Sequence, residues 1–99
     1  MIYAGIDIAK NKHAIGATDE RGKDAAKPMP FANSTEGFDR CIAYLDGLAD
    51  SKAGLMVGME ATGHYWLPLF CRLQDEEYPV VVVNPVRTDA MRRFKGTSR

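Results

Sequence analysis

Long apolar runs are absent from the 99-residue sequence, and none approaches the roughly 20 residues that a membrane-spanning helix requires. The amino terminus also lacks the charged and then apolar pattern of an export signal. We therefore expect a cytoplasmic protein with no membrane partner. Its formal net charge is zero at pH 7, so no overall electrostatic field attracts it to nucleic acid or to anionic lipid.

Cysteine is scarce, since the chain has only Cys41 and Cys71. Neither has a second cysteine two or three residues away, which is the spacing typical of a zinc site. Both fall in segments with helical periodicity. We expect two buried thiols in a protein of a reducing compartment.

The remaining composition is that of a single globular domain. Hydrophobic residues make up 45% of the chain and charged residues 26%, which is enough apolar material for one core at this length. Charge is unevenly distributed, because the last thirteen residues carry five basic side chains against Asp89 alone. The sequence therefore predicts a folded core over residues 1–84, followed by a basic segment over residues 85–99.

Three strands joined by hairpins are predicted for the first third of the chain. They cover residues 2–8, 13–18 and 23–31, where β-branched and aromatic residues are frequent. The third strand should lie at a sheet edge, because Pro28 and Pro30 cannot donate ladder hydrogen bonds. Hairpin connections make all three strands antiparallel.

Helices and strands alternate after this point. Asn33 and Glu36 resemble a capping box, and apolar residues recur behind them at helical spacing. A second helix should begin near His64 or later, with Pro68 in its first turns. One face of this helix would be formed by Trp66, Leu69, Phe70 and Leu73.

Two further strands are predicted at residues 55–59 and 79–83. The run of valines in the second is typical of a strand buried on both faces. A helix between consecutive strands acts as a right-handed crossover, which makes these strands parallel. The predicted fold class is therefore α/β, with a mixed five-stranded sheet of three antiparallel and then two parallel strands, and with flanking helices.

Asp7 and Glu60 each stand where an apolar strand ends. If those two strands are parallel neighbours, both acids emerge at the same edge of the sheet, roughly 5 Å apart in the pairing direction. Two carboxylates so close repel each other unless a cation lies between them. The pair therefore predicts a site for Mg²⁺ or Mn²⁺, hard cations that take oxygen ligands and leave positions open for water and phosphate.

Four short blocks carry a resemblance to a known family. They are Gly5-Ile6-Asp7-Ile8-Ala9-Lys10, Asn33-Ser34-Thr35-Glu36-Gly37-Phe38, Val57-Gly58-Met59-Glu60-Ala61-Thr62-Gly63 and Val82-Val83-Asn84-Pro85. In this order they resemble the amino-terminal catalytic domain of DEDD transposases of the insertion-sequence-110 type, whose relatives include the Piv site-specific DNA invertases. The resemblance implies a RuvC-like, ribonuclease H-like fold.

The resemblance also implies a function in DNA recombination. In the family an acidic tetrad binds divalent metal, and Asp7 and Glu60 match its first two positions. The other two aspartates belong to a motif downstream of the basic stretch, so we expect this chain to be the front of a longer enzyme and inactive alone. The resemblance further implies homo-oligomers of the full-length protein and, in some members, a guide RNA.

The chemistry of the complete site has two possible forms. Two metals could activate the attacking oxygen and stabilise the leaving oxygen of a phosphodiester. Alternatively, the metals could position the phosphate for a serine nucleophile, which family members carry in a separate carboxyl-terminal domain. In either case Asp7, on a central strand, is the stronger ligand candidate and Glu60 the second.

Basic side chains are the candidates for nucleic-acid binding, since lysine and arginine neutralise backbone phosphate without reading sequence. Two of them follow the first acid and four lie in the basic segment: Lys10, Lys12, Arg87, Arg92, Arg93 and Lys95. For the second group, a solvated helix face is nearly as good an interpretation.

Other functions are compatible with the same pattern. Glu60 could accept hydrogen bonds from the amides that open the following helix, as a simple cap. An actin-like or sugar-kinase ATPase half-domain also has three opening strands and an early aspartate, but it requires glycine two residues after the acid, where this chain has Ala9. A module for dimerisation or nucleic-acid binding, with idle acids, is the third possibility.

Overall fold

Five strands and two α-helices make up the part of the chain that the structure, a computed structural model, describes: residues 1–61 and 63–83. The strands are β1 (Ile2–Asp7), β2 (Lys12–Thr18), β3 (Asp24–Ala32), β4 (Leu55–Glu60) and β5 (Val80–Val83), and the helices are α1 (Thr35–Asp46) and α2 (Leu67–Asp75). The predicted boundary at residue 84 and the basic segment lie outside these residues. Neither α-helix is long and apolar enough to cross a bilayer.

All five strands form one sheet in the order β3-β2-β1-β4-β5. The β1–β2 and β2–β3 pairs are antiparallel, whereas β1–β4 and β4–β5 are parallel. This arrangement confirms the predicted topology, because short hairpins join the first three strands and each helix carries the chain back before a later strand. It also places β1 at the centre of the sheet and β3, with Pro28 and Pro30, at one edge.

The core lies on one face of the sheet. Alternate residues of the strands point to this face, where they meet the buried sides of both helices. The cluster includes Ala4, Ile6, Ile15, Phe31, Leu55, Val57 and Met59 from the strands, and Phe38, Cys41, Leu45, Leu69 and Leu73 from the helices.

The opposite face is left uncovered by the described residues, and we call it the open face. Its members point away from both helices: Tyr3, Gly5, Asp7, Ala14, Gly16, Met56, Gly58, Glu60, Val81 and Val83. The prediction that the valine strand is buried on both faces is therefore wrong for the described chain, since Val81 is 48% exposed. Hydrophobic composition could not reveal this, because β5 lies at a sheet edge with helices on one side.

Two local predictions also differ from the structure. The N-cap of α1 is Ser34, whose hydroxyl accepts a hydrogen bond from the amide of Gly37 at 3.1 Å. Asn33 lies one residue too early for this role. Cys41 is fully buried as expected, but Cys71 is exposed because it lies on the outer side of α2.

Candidate metal centre

The two predicted acids end adjacent parallel strands. Asp7 is the last residue of β1 and Glu60 the last of β4, each one position beyond the register pair Ile6–Met59. Neighbouring strands are separated by about 4.8 Å, so the backbones of the two acids run side by side. Both side chains are exposed and belong to the open face. The structure therefore brings these residues together at one edge and on one face of the sheet.

An open depression of about 510 Å³ contains both carboxyl-bearing residues. Its floor is formed by Gly5 and Gly58, which are register partners two residues before the acids. A Cβ atom at either glycine would have no described heavy atom within 4 Å. The two glycines therefore leave room for a ligand to approach the backbone close to the acids.

Neither acid forms a hydrogen bond or a salt bridge with its side chain to a described residue. The three salt bridges in this part of the chain involve other carboxylates, those of Glu20, Asp39 and Glu76. The helix after Glu60 begins only at Leu67, and its N-cap position has no side-chain hydrogen bond. Glu60 consequently does not cap α2, and that interpretation of the sequence is wrong.

Two unpaired carboxylates at one edge suit a hard divalent cation, which takes oxygen ligands and completes its shell with water. Residues 1–61 and 63–83 contain no group of three or more acidic, histidine or cysteine side chains that could hold an ion. Asp7 and Glu60 are the pair of acids that the sequence predicts as ligands in this part of the chain. Their role in binding metal stays a prediction.

A short loop, residues 8–11, joins β1 to β2 directly after Asp7 and is held by side chains from other segments. The Nδ1 atom of His13 accepts a hydrogen bond from the amide of Ala9 at 3.1 Å. The Asn33 side chain donates to the carbonyl of Lys10 at 3.0 Å, and the Asn33 amide donates to the carbonyl of Asn11 at 3.0 Å. Sequence reasoning gave His13 no role and gave Asn33 a different one.

His13 is almost completely buried, with 1% of its surface exposed, and its ring contacts Phe31 edge to face. Burial lowers the pKa of His13 because a charged ring would lose its hydration there. The Asn33 side chain beside the ring and the negative charge of Asp7 both raise the pKa and so oppose the effect of burial. The Nε2 atom has no hydrogen-bond partner among the described residues. The sequence does indicate that His13 is buried. It is separated by two and four residues from Ile15 and Ala17, so all three side chains point to the same face of β2.

Two of the predicted nucleic-acid contacts lie near the acids. Lys12 begins β2 and is exposed, two residues from Ala14, which is the register partner of Asp7. By strand alternation Lys12 shares the open face with Asp7. Lys10 is exposed in the adjoining loop. The other four predicted contacts, Arg87, Arg92, Arg93 and Lys95, lie outside the described residues.

This sheet, with its central strand ending in one acid and a parallel neighbour ending in a second, defines a ribonuclease H-like α/β domain. The structure is similar to RuvC from Thermus thermophilus, with a TM-score of 0.55 and 18% identity over 86% of this chain and 64% of that one. It is also similar to YeaZ from Pseudomonas aeruginosa, with a TM-score of 0.51 and 11% identity over 96% of this chain and 50% of that one. The predicted RuvC-like fold is thereby confirmed.

The family follows from the sequence match. Residues 4–99 match the family model of DEDD transposases of the insertion-sequence-110 type, described as a transposase. The chain belongs to this family, as the four sequence blocks predicted. It spans less than two thirds of the length of the RuvC structure. No curated protein matches the chain significantly.

Proposed function

We propose that this chain is the amino-terminal part of a metal-dependent transposase domain that cleaves and transfers DNA strands, with Asp7 and Glu60 as ligands of Mg²⁺ or Mn²⁺. The observation that carries the proposal is the position of these two carboxylates, side by side at the end of parallel strands and unpaired with any described residue. Membership in a transposase family supports a DNA substrate.

The protein groups contribute electrostatics and position. Asp7 and Glu60 place two negative charges at the rim of the depression, where their mutual repulsion is relieved by a cation. A bound divalent ion would supply charge stabilisation to a phosphodiester oxygen. The parallel strands place the backbones of both acids side by side, which limits the rearrangement needed when the ligand binds. The open space at Gly5 and Gly58 would let a sugar-phosphate backbone approach close to the sheet.

Lysine and arginine side chains extend the proposal to DNA binding. Lys10 and Lys12 are exposed beside the acids and would neutralise phosphates next to the reacting one. The basic segment, with Arg87, Arg92, Arg93 and Lys95, would add contacts further along the strand. The family extends the proposal to two more partners, a guide RNA and further copies of the full-length protein.

The ATPase interpretation has less support. It requires a free backbone amide near the residue two positions after the first acid, because a phosphate must approach that amide closely. In this structure the amide of Ala9 is already donated to His13. The idle-acid interpretation requires carboxylates that are paired, capping or remote from each other, and Asp7 and Glu60 are none of these among the described residues.

Calorimetric titration with Mn²⁺ tests the metal site directly. We expect the chain to bind the ion weakly. Asp7→Asn or Glu60→Gln should reduce the affinity by about tenfold or more, since loss of a ligand should cost at least as much as loss of a residue that hydrogen-bonds to a ligand. Asp50→Asn is the matched control, because Asp50 is an exposed acid in a loop away from the depression.

Equal Mn²⁺ binding by the wild-type chain and the Asp7→Asn/Glu60→Gln double variant would contradict the proposal. A loss of binding in the Asp50→Asn control would also contradict it, because the affinity would then depend on overall charge. Calorimetry is preferred to an activity assay here. Two of the four acids can retain some affinity for the ion, whereas activity would depend on the complete tetrad.

A further inference from the structure

The loop that follows Asp7 is held by two side-chain hydrogen bonds and one backbone hydrogen bond. The β1 strand ends at Asp7, whose register partner is Ala14, and residues 8–11 then leave the sheet. By contrast, Glu60 is followed by a further backbone hydrogen bond, from the amide of Ala61 to the carbonyl of Val83 at 2.8 Å. The two acids are therefore held in different ways.

His13 provides an acceptor where a core position would ordinarily hold an apolar side chain. Its Nδ1 atom accepts from the Ala9 amide, which requires a neutral ring with its proton on Nε2. Packing alone does not require a histidine, because a phenylalanine would also fill a site against Phe31. The buried position is thus used to satisfy one backbone donor of the loop, two residues after Asp7.

Asn33 fastens the second half of the same loop. Its side chain donates to the Lys10 carbonyl and its backbone amide donates to the Asn11 carbonyl. The capping of α1 is performed by Ser34, so Asn33 is free to make these contacts. Three hydrogen bonds from two residues, one on β2 and one between β3 and α1, therefore hold residues 9–11.

We infer that His13 and Asn33 are positioning residues for the metal site: by fixing residues 9–11 they hold the end of β1, so that the Asp7 carboxylate stays beside that of Glu60. The inference deepens the proposed function and rests on it. Neither side chain touches the ligand position itself. Each acts through the backbone that carries Asp7 and Lys10.

Two substitutions of His13 separate this role from simple packing. His13→Phe keeps the ring volume and removes the acceptor, whereas His13→Asn places an amide oxygen close to the position of Nδ1 and removes most of the ring. We expect His13→Phe to weaken Mn²⁺ binding by on the order of tenfold, which is the usual effect of removing a residue that orients a metal ligand. His13→Asn should retain most of the affinity although it leaves a cavity in the core. A structural role alone predicts the reverse order, because the cavity would be the more damaging change.

Hydrogen exchange of the Ala9 amide, followed by nuclear magnetic resonance, reports its hydrogen bond to His13 independently of metal binding. The Ala9 amide should be protected in the wild-type chain and in His13→Asn, and unprotected in His13→Phe. Asn33→Leu gives a second test outside the core, with weaker Mn²⁺ binding expected. Asn11→Ala is its matched control and should change nothing, because Asn11 contributes its backbone carbonyl to this loop.

The outcomes distinguish the two proposals. A wild-type chain that binds no Mn²⁺ overturns the proposed metal site and the positioning role with it. Wild-type Mn²⁺ affinity in both His13→Phe and Asn33→Leu, with normal binding by the wild type, overturns the positioning role alone. An affinity that follows the free energy of unfolding across all four variants also overturns it.

Discussion

The α-carbon of Gly37, in the first turn of α1, lies directly against the backbone of Ala32 at the end of β3. A Cβ atom at position 37 would overlap the nitrogen, carbon and oxygen of Ala32, none of which can move as a flexible side chain can. We therefore expect Gly37→Ala to lower the free energy of unfolding by about 3 kcal/mol, at the upper end of the usual cost of overpacking. Urea unfolding followed by circular dichroism measures this.

Gly58→Ala is the matched control for that substitution. Its Cβ atom would point into open space on the open face, with no described heavy atom within 4 Å. Replacing a strand glycine there should leave stability unchanged or raise it by about 0.5 kcal/mol, because the unfolded chain loses freedom. Similar losses of stability in Gly37→Ala and Gly58→Ala would contradict the close approach of α1 to β3.

Glu77, just after α2, has a backbone φ of +64°, which side chains other than glycine and asparagine rarely adopt. Its neighbours close the helix as a Schellman motif, with the Tyr78 amide donating to the Leu73 carbonyl at 2.9 Å. We expect Glu77→Gly to raise the free energy of unfolding by about 0.5 to 1 kcal/mol. Glu77→Ala should give no gain, and a gain as large as that of glycine would indicate a charge effect instead.

Burial of His13 should make the fold sensitive to mild acid. Because the pKa of His13 is lower in the folded chain than the ordinary value of 6.5, the unfolded chain binds a proton at a higher pH than the folded chain does. The contribution is complete above pH 6.5 and is lost as the pH falls through the folded-state pKa. The free energy of unfolding should therefore decrease as the pH falls from 6.5 towards the folded-state pKa, by at most about 1.4 kcal/mol per pH unit for this residue.

His13→Phe supplies the comparison for this pH dependence, since it leaves the second histidine, His64, in place. We expect the difference in unfolding free energy between wild type and variant to change between pH 7.5 and pH 5, measured by urea unfolding at each pH. A constant difference over this interval would contradict a buried, neutral His13.

Lys12 should contact DNA phosphate, because it shares the open face and the same sheet edge with Asp7. We expect Lys12→Ala to reduce the salt dependence of DNA binding, lowering the slope of log affinity against log salt by about 0.7 to 0.9. Fluorescence anisotropy with a labelled oligonucleotide at several salt concentrations measures the slope. Lys23→Ala is the control, since Lys23 lies at the hairpin between β2 and β3, at the opposite end of β2 from Lys12. Equal slopes in the two variants would exclude a specific contribution of Lys12.

Topology was the most predictable part of this protein. Apolar runs of strand length, alternating with helical periodicity, determine which connections are hairpins and which are crossovers, and hence which strands are antiparallel and which are parallel. Once β1 and β4 are parallel neighbours, Asp7 and Glu60 must lie at the same edge. The predicted juxtaposition of the acids was conditional on that pairing, which local patterns do not determine and which the structure shows.

Predictions that depended on tertiary contacts were less successful. The N-cap could be Asn33 or Ser34 by residue type, and the choice depends on a loop that is distant in sequence and that engages Asn33. The exposure of Val81 depends on which face of the sheet the helices cover, which its own composition does not determine. His13 has no assigned role from the sequence, because a single histidine is more often packed or solvated than functional, and its partner here is a backbone amide.

The two margins of the sheet differ in how they could accept another strand. On β3, Pro28 and Pro30 remove amide donors from the outer row of hydrogen-bonding groups, so a strand approaching that margin would find an incomplete ladder. On β5 the four consecutive valines, Val80–Val83, retain every donor and have high β-propensity. Lateral extension of the sheet is therefore directed to β5, the margin from which the chain continues.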